Sequence, residues 1–180
     1  MRHVAVFLVC ICILFPSGCD NSFSTRPLPP IEVRFSPQGG CTEAIVREIE
    51  SARSSIFIQA YSFTSVPIAK AVVEAYKRGV HVEAILDRSQ KTEQYSEADY
   101  LHYSSVPVLI DCEHAIAHNK IMIIDGQVVI TGSFNFTKQA EHSNAENLLI
   151  IRDKYLADQY AANWKLHAEH SEQYAGKNAE

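Results

Sequence analysis

Hydrophobic residues follow two repeating patterns along the chain from residue 31 onward. Apolar positions that alternate with polar ones, or that form a short continuous run, predict β-strands. Apolar positions three or four residues apart predict amphipathic helices. The predicted strands are 31–35, 55–61, 81–87, 106–110, 121–124, 127–131 and 147–151, and the predicted helices are 41–52, 67–78 and 154–170.

The order of these elements predicts the fold. Strands that alternate with helices indicate an α/β domain, with a central mixed, mostly parallel sheet and helices on both faces. Ligands of such sheets bind beyond the carboxyl ends of the strands, so residues 61–64 and 87–88 are expected near any site. The length of 180 residues suits one domain. We place it at residues 31–170, followed by a polar tail at 171–180.

The first 30 residues differ from the rest. Arg2 and His3 precede an apolar run at 4–15 that is too short to span a bilayer, and small residues follow it. We interpret residues 1–18 as a signal peptide and residues 19–30 as a proline-rich linker. Plain cleavage and lipidation of Cys19 both remain open. The protein is therefore expected in the periplasm of a bacterium, or attached to a membrane as a lipoprotein.

Composition restricts the function classes. A formal net charge of −5 is not typical of a protein that holds DNA by charge alone, although an enzyme needs only a local positive groove. Cys41 and Cys112 would remain in the exported chain, either as a disulfide or as two free thiols. The sequence has no CxxC pair and no histidine-rich cluster at zinc spacing, so no metal and no cofactor are expected.

Four polar residues flank a predicted hairpin. His118 and Lys120 lie two positions apart and would share one face of a strand. Asp125-Gly126 is a strong signal for a two-residue turn, which would place Ser133 opposite His118. The amide of Asn135 follows just beyond.

This set of side chains suits phosphoryl transfer, in which positioning and charge stabilisation supply most of the catalysis. Lys120 would hold a phosphate, and Ser133 and Asn135 would hydrogen-bond its oxygens. His118 can attack phosphorus through a neutral ring nitrogen if a carboxylate orients the other one, and Glu146 is the candidate. Asp125 is roughly 23 Å from His118 along an extended strand, so we interpret it as structural.

The spacing H-x-K-x4-D-x6-G-S-x-N, from His118 to Asn135, resembles the signature of the phospholipase D superfamily at every defined position. The resemblance runs from about residue 31 to 170 and is strongest to the small, exported bacterial endonucleases that carry one signature per chain. It implies the phospholipase D/nuclease fold, a two-step reaction through a phosphohistidine, resistance to chelators and a homodimer. Double displacement also requires an acid opposite the nucleophile, and a second copy of His118 would supply it.

Three functions follow from this interpretation. The first is a nonspecific endonuclease acting on DNA, with RNA as an alternative substrate. The second is a phospholipase D, because the same chemistry cleaves lipid phosphodiesters. The third is an inactive nucleic-acid-binding protein, which would require a lost catalytic residue.

Several further residues are candidates for substrate contacts. Tyr61 and Phe63 could stack on bases, although aromatic residues at strand ends are more often part of a core. Lys138 would contact a nucleic-acid backbone or simply be solvated. Surface positions are expected for His114 and His142, and no special role is assigned to His81, His102, His167 or His170.

Overall fold

The computed structural model describes residues 27–177, which form one domain around an eight-stranded sheet. The predicted signal peptide, Cys19 and most of the predicted linker lie outside the described residues. The strands are β1 (Ile31–Ser36), β2 (Ser55–Ala60), β3 (His81–Asp87), β4 (Val108–Asp111), β5 (Lys120–Ile124), β6 (Val128–Gly132), β7 (Glu146–Arg152) and β8 (Glu172–Gln173). The helices are α1 (Cys41–Ser51), α2 (Val66–Lys77), α3 (Ala98–Tyr103), α4 (Lys138–His142) and α5 (Lys154–His170), with a short 3-10 helix at Arg88–Lys91.

The sheet has the order β1-β7-β6-β5-β2-β3-β4-β8 and is mixed, as predicted. The expectation that it is mostly parallel was wrong. Only β2 with β3 and β3 with β4 pair in parallel, and all other neighbours are antiparallel. The reason is that helical crossovers link the strands of the first half, whereas a tight turn links β5 to β6.

Helices cover both faces of the sheet, as predicted. On one face α1, α2 and α3 pack against the larger hydrophobic core, in which side chains such as Ile45 and Val72 are fully buried. On the other face α5 packs against Ile85 and Ile123 through Trp164. The indole Nε1 of Trp164 donates to the Ile58 carbonyl at 2.8 Å, so its buried polar atom is paired. None of the helices in residues 27–177 has both the length and the apolar character needed to cross a membrane.

The segment predicted as a polar tail is part of the domain. Its first residues form β8, which pairs antiparallel with β4 at the edge of the sheet. Tyr174 is only 3% exposed, and its hydroxyl donates to Asp99 at 2.8 Å. Burial of this ring, with its polar tip paired, is the reason why the fold continues past residue 170.

The possible disulfide does not form, because Cys41 and Cys112 are both free thiols. Cys41 begins α1, which packs beside β1 at one edge of the sheet. Cys112 follows β4, near the other edge, and its Sγ lies 3.6 Å from a carboxylate oxygen of Glu172. The two cysteines are therefore separated by most of the width of the sheet. Burial raises the pKa of the Cys41 thiol to about 11.

Candidate active site

The segments that carry the signature meet at one edge of the sheet, which is formed by the ends of the strands and not by an outermost strand. β2 ends there at Ala60, and β5 begins beside it because Ala60 pairs with Lys120. β6 runs antiparallel to β5 and therefore ends at the same edge, at Gly132. β7 runs antiparallel to β6 and begins there at Glu146. Because β3 runs parallel to β2, Asp87 also reaches this edge.

His118 lies just before β5 and is exposed to solvent. Its imidazole packs against the ring of Tyr61, with 4.7 Å between the ring centroids and 58° between the planes. The Tyr61 backbone amide donates to the Asn119 carbonyl at 2.8 Å, which fastens this segment to the end of β2. An accessible ring nitrogen is thereby presented from a fixed backbone, as a nucleophile requires.

Lys120 has the opposite environment, since it is only 7% exposed. Its Nζ donates to the His118 carbonyl at 2.8 Å and lies 5.0 Å from the centre of the Tyr61 ring. Burial lowers the pKa of Lys120, while the carboxylates of Glu146 and Asp87 act in the opposite direction. The side chain is a positioned cation directly beside His118.

Asp87 fixes the loop that leads to His118. One carboxylate oxygen accepts from the Ala117 amide at 2.7 Å, and the other accepts from the Ser89 amide at 2.9 Å. The side chain is 3% exposed, so these bonds are protected from water. Strand order predicted that Asp87 lies near the site, but its bond to the residue before His118 was not visible in the sequence.

Gly132 permits the close approach of β6 and β7 at this edge. Its φ is +144°, and a Cβ atom there would lie 2.3 Å from the Asn147 carbonyl oxygen, which no side chain could tolerate. The following residue, Ser133, is exposed, and its Oγ accepts from the backbone amide and the side-chain amide of Asn147 at 3.1 and 3.2 Å. These bonds occupy acceptor positions of the hydroxyl and leave its hydrogen to donate.

The Asn135 side chain is partly buried, and its Oδ1 is buried with no hydrogen-bond partner among residues 27–177. A buried amide that lacks a partner is costly, which makes it a candidate for binding a ligand. Rotation of the amide about its terminal torsion would present Nδ2, a donor, at the same place.

The predicted hairpin register was wrong by one residue. β5 and β6 pair from Met122 with Ile130 to Ile124 with Val128. The turn forms at Asp125 and Gly126, both with positive φ, and the Gln127 amide donates to the Ile124 carbonyl at 3.0 Å. Gln127 is then an extra residue before the ladder begins, a β-bulge that the sequence did not reveal. Ser133 is therefore not paired across the strands with His118.

Glu146 does not orient His118 within the chain. As predicted, β7 lies beside β6, but β6 separates it from β5. A carboxylate oxygen of Glu146 accepts from Asn144 Nδ2 at 3.1 Å, and the electrostatic effect of Glu146 falls on Lys120. Among the described residues, no hydrogen bond joins Glu146 to His118.

Asp125 lies at the far end of the hairpin from His118. Its Oδ1 accepts from Ser54 N, Ser54 Oγ and Ser55 N at 2.7, 2.8 and 3.0 Å, and its Oδ2 accepts from Arg53 N at 3.0 Å. Burial raises the pKa of Asp125, but the hydrogen bonds from residues 53–55 outweigh it and hold the pKa below its usual value. These contacts tie the β5–β6 turn to the start of β2.

The three predicted substrate contacts have different environments. Tyr61 is partly buried against His118 and lies within the site. Phe63 is fully buried and packs edge-on against Phe136, so of the two alternatives it takes the core position and is not available to stack on bases. Lys138 is exposed at the start of α4 and lines a cleft of about 770 Å³ together with His142. That cleft includes neither His118 nor Lys120.

A second cluster of chemically competent side chains was missed. His114, His167 and His170 all contact the buried carboxylate of Asp111. The signal in the sequence was two pairs at the same spacing, D-x2-H and H-x2-H, that lie far apart along the chain.

Comparison with known proteins identifies the family to which the chain belongs. The family model described as "Cardiolipin synthase, PLD-like domain" matches residues 45–166. The chain therefore belongs to the phospholipase D superfamily.

Individual relatives are similar over most of this chain. Phospholipase D of Rickettsia prowazekii (strain Madrid E) is 46% identical over 130 residues, which are 72% of this chain and 63% of that protein. Mitochondrial cardiolipin hydrolase of Mus musculus is 34% identical over 138 residues, which are 77% of this chain and 57% of that protein. The chain thus spans less than two thirds of the length of these curated relatives.

A solved structure agrees with this assignment. Nuc of Salmonella typhimurium, a phospholipase D family member, superposes with a TM-score of 0.79 at 38% identity. The match covers 82% of this chain and 99% of Nuc, so the domain described here corresponds to nearly all of that protein.

Proposed function

We propose that this protein is an endonuclease that cleaves DNA, and RNA as a second substrate, through a covalent phosphohistidine on His118. The observation that carries the proposal is the exposed imidazole of His118 next to the buried Lys120, whose Nζ donates to the His118 backbone carbonyl at one edge of the sheet. A nucleophile that reaches solvent, beside a cation that cannot move away, is the arrangement that attack on a phosphodiester requires.

In the first step, a neutral ring nitrogen of His118 attacks phosphorus and forms an N–P bond. The P–O bond opposite the nucleophile breaks, and the leaving oxygen takes a proton from an acid on that side. Lys120 balances the negative charge on the non-bridging oxygens. Ser133 would donate its hydroxyl hydrogen to one of them, and Asn135, after rotation of its amide, would donate from Nδ2.

In the second step, the group that gave up its proton takes one from water, and the water attacks phosphorus. The N–P bond breaks, and His118 is restored with release of a phosphate monoester. This acid and base must lie on the side of phosphorus away from His118. We propose that it is His118 of the partner subunit in a two-fold homodimer, because one chain carries one signature.

Nucleic acid is favoured over lipid by the form of the site. His118 is exposed at an open edge, and the cleft near α4 does not include it. A long polymer can reach such an edge, whereas a lipid must also leave its acyl chains in contact with apolar surface.

Phospholipid hydrolysis is the second candidate. It is supported by relatives named phospholipase D and mitochondrial cardiolipin hydrolase. Both substrates present the same phosphodiester to His118, so only a direct comparison of substrates separates them.

The test uses supercoiled plasmid, RNA, and vesicles of phosphatidylcholine with cardiolipin, each incubated with the wild-type protein both with and without EDTA. We expect nicking and then degradation of the plasmid, with no release of lipid headgroups. Headgroup release without nicking would replace the proposal by the second candidate. No reaction with any of the three substrates would reject both enzymatic functions.

A further inference from the structure

Three histidines converge on one buried carboxylate, away from His118. Asp111 ends β4 and is 0% exposed. Its Oδ2 lies 3.0 Å from His114 Nδ1, 3.1 Å from His167 Nδ1 and 3.4 Å from His170 Nε2. The three imidazole centroids are 4.9 to 5.3 Å apart, so the rings surround the carboxylate.

These distances fit the geometry of a tetrahedral zinc site. Zinc binds nitrogen at about 2.0–2.1 Å, so two ligand atoms of one tetrahedron lie about 3.4 Å apart. The separations of Asp111 Oδ2 from the three ring nitrogens already have this size, and all four ligand atoms lie within 4.8 Å of one another. Shifts of the ring nitrogens by about an ångström, through rotation of the imidazole rings, would complete the tetrahedron.

The surroundings also suit a metal ion. His167 and His170 share one face of the last turn of α5, three residues apart, and His114 follows Asp111 by three residues. The second ring nitrogen of His170, Nδ1, lies 3.6 Å from the Glu113 carboxylate, the kind of outer partner that orients a ligating histidine. The His114 side chain is 45% exposed, so an ion has a path from solvent.

We propose that Asp111, His114, His167 and His170 bind one Zn²⁺ ion. Because four protein ligands would complete the coordination, the ion has a structural role and takes no part in the reaction at His118. It joins the last turn of α5 to the loop that follows β4.

This loop is the one that leads to His118. Arg88 binds it through the Ala115 carbonyl at 2.8 Å, and Asp87 binds it through the Ala117 amide at 2.7 Å. A zinc ion at Asp111 and His114 would fix the beginning of the loop as Asp87 fixes its end. The site therefore positions the segment before His118 without touching the substrate.

The competing explanation is that the histidines only hydrogen-bond to Asp111. Each neutral imidazole has one N–H to donate, and a buried carboxylate accepts several such bonds. That arrangement would need no metal, and metal binding by variants separates the two explanations.

The experiment measures bound metal in the protein purified without a histidine tag. Wild type, the double variant His114→Ala/His167→Ala and the control His81→Ala/His142→Ala are each equilibrated with Zn²⁺, dialysed and analysed by mass spectrometry for metals. The control also removes two histidines, and both are exposed and remote from Asp111. We expect about one zinc per chain in wild type and control, and at least a tenfold loss in the double variant.

Thermal unfolding provides a second readout. EDTA should lower the Tm of wild type and control but leave that of the double variant unchanged, because an ion bound only to the folded state stabilises it. Wild type without zinc, or a double variant that retains as much zinc as wild type, would overturn the proposal. The outcome is independent of the proposed nuclease reaction, which is assayed below the Tm of the zinc-free protein.

Discussion

At the scale of single residues, the site separates two roles by burial. His118 is exposed and accessible to a substrate, whereas Lys120 is buried and held in position. Both types of residue were visible in the sequence as a motif. Their different environments were not, because they arise from Tyr61 and from strand neighbours that the motif does not contain.

The His118→Ala variant is expected to lose cleavage of plasmid DNA by at least about 10³-fold, because no other group supplies the nucleophile. Its Tm should remain within a degree or two of wild type, since the side chain is exposed. The matched control, His142→Ala, should keep full activity. Activity that survives in His118→Ala would exclude this residue as the nucleophile.

The pH dependence should report Lys120. Burial lowers the pKa of Lys120, so its charge is lost as pH rises through a value below the ordinary 10.5, and kcat/KM should fall there. Removing the opposing carboxylate in Glu146→Gln should lower this pKa further and move the alkaline fall to lower pH. Hydrolysis of a small chromogenic phosphodiester across pH 6–11 measures the shift, with Glu50→Gln, exposed on α1, as the control. A profile that moves upward, or does not move, would argue against this electrostatic coupling.

At the scale of elements, the sequence predicted most helices and strands to within a residue or two, because their hydrophobic periods are clear. Two predictions about strand pairing were wrong for physical reasons. Parallel and antiparallel strands carry similar apolar runs when both faces of the sheet are covered. The apolar pattern therefore does not indicate the direction in which two strands pair. The bulge at Gln127 depends on backbone geometry at the turn, which the Asp-Gly signal does not specify.

The β5–β6 hairpin depends on Asp125 for stability rather than for catalysis. Asp125→Ala removes the hydrogen bonds to residues 53–55 and should lower the free energy of unfolding by about 2 kcal/mol, with kcat unchanged. Urea titration measures this, and Asp158→Ala, an exposed ion-pair partner on α5, should change it by less than about 0.5 kcal/mol.

The Asp125 contribution should also depend on pH. Because its folded pKa is below the unfolded value of about 3.9, its stabilising effect is present above that value and is lost as pH falls through the folded pKa. The stability difference between wild type and Asp125→Ala should therefore shrink in acid. A difference that grows as pH falls would show that the carboxylate is not ionised in the folded protein.

At the scale of the whole molecule, long-range convergence limited what the sequence could predict. Asp111 with His114 and His167 with His170 are separated by more than fifty residues, and only the packing of α5 near β4 brings them together. The burial of Tyr174, which extends the domain past α5, likewise depends on a contact with Asp99. The sequence therefore predicted the motif whose residues are close along the chain, but it did not predict clusters whose residues only the fold brings together.

In the proposed homodimer, activity depends on pairs of chains, because each site needs His118 of both subunits. On this proposal, refolding wild type together with an excess of His118→Ala puts most wild-type chains into mixed dimers that lack the second histidine. Activity per wild-type chain should then fall steeply, whereas an excess of the active His142→Ala variant should not reduce it. Unchanged activity per wild-type chain would mean that each chain works alone.

The central claim is that His118 bonds covalently to the substrate phosphate. The direct measurement mixes the protein rapidly with DNA and quenches the reaction in alkali, in which phosphohistidine is stable. The peptides are then analysed by mass spectrometry. We expect a nucleotide joined through its phosphate to the peptide that contains His118, and no such adduct in the His118→Ala variant. Complete cleavage of DNA without any adduct on that peptide, or with an adduct on another residue, would contradict it.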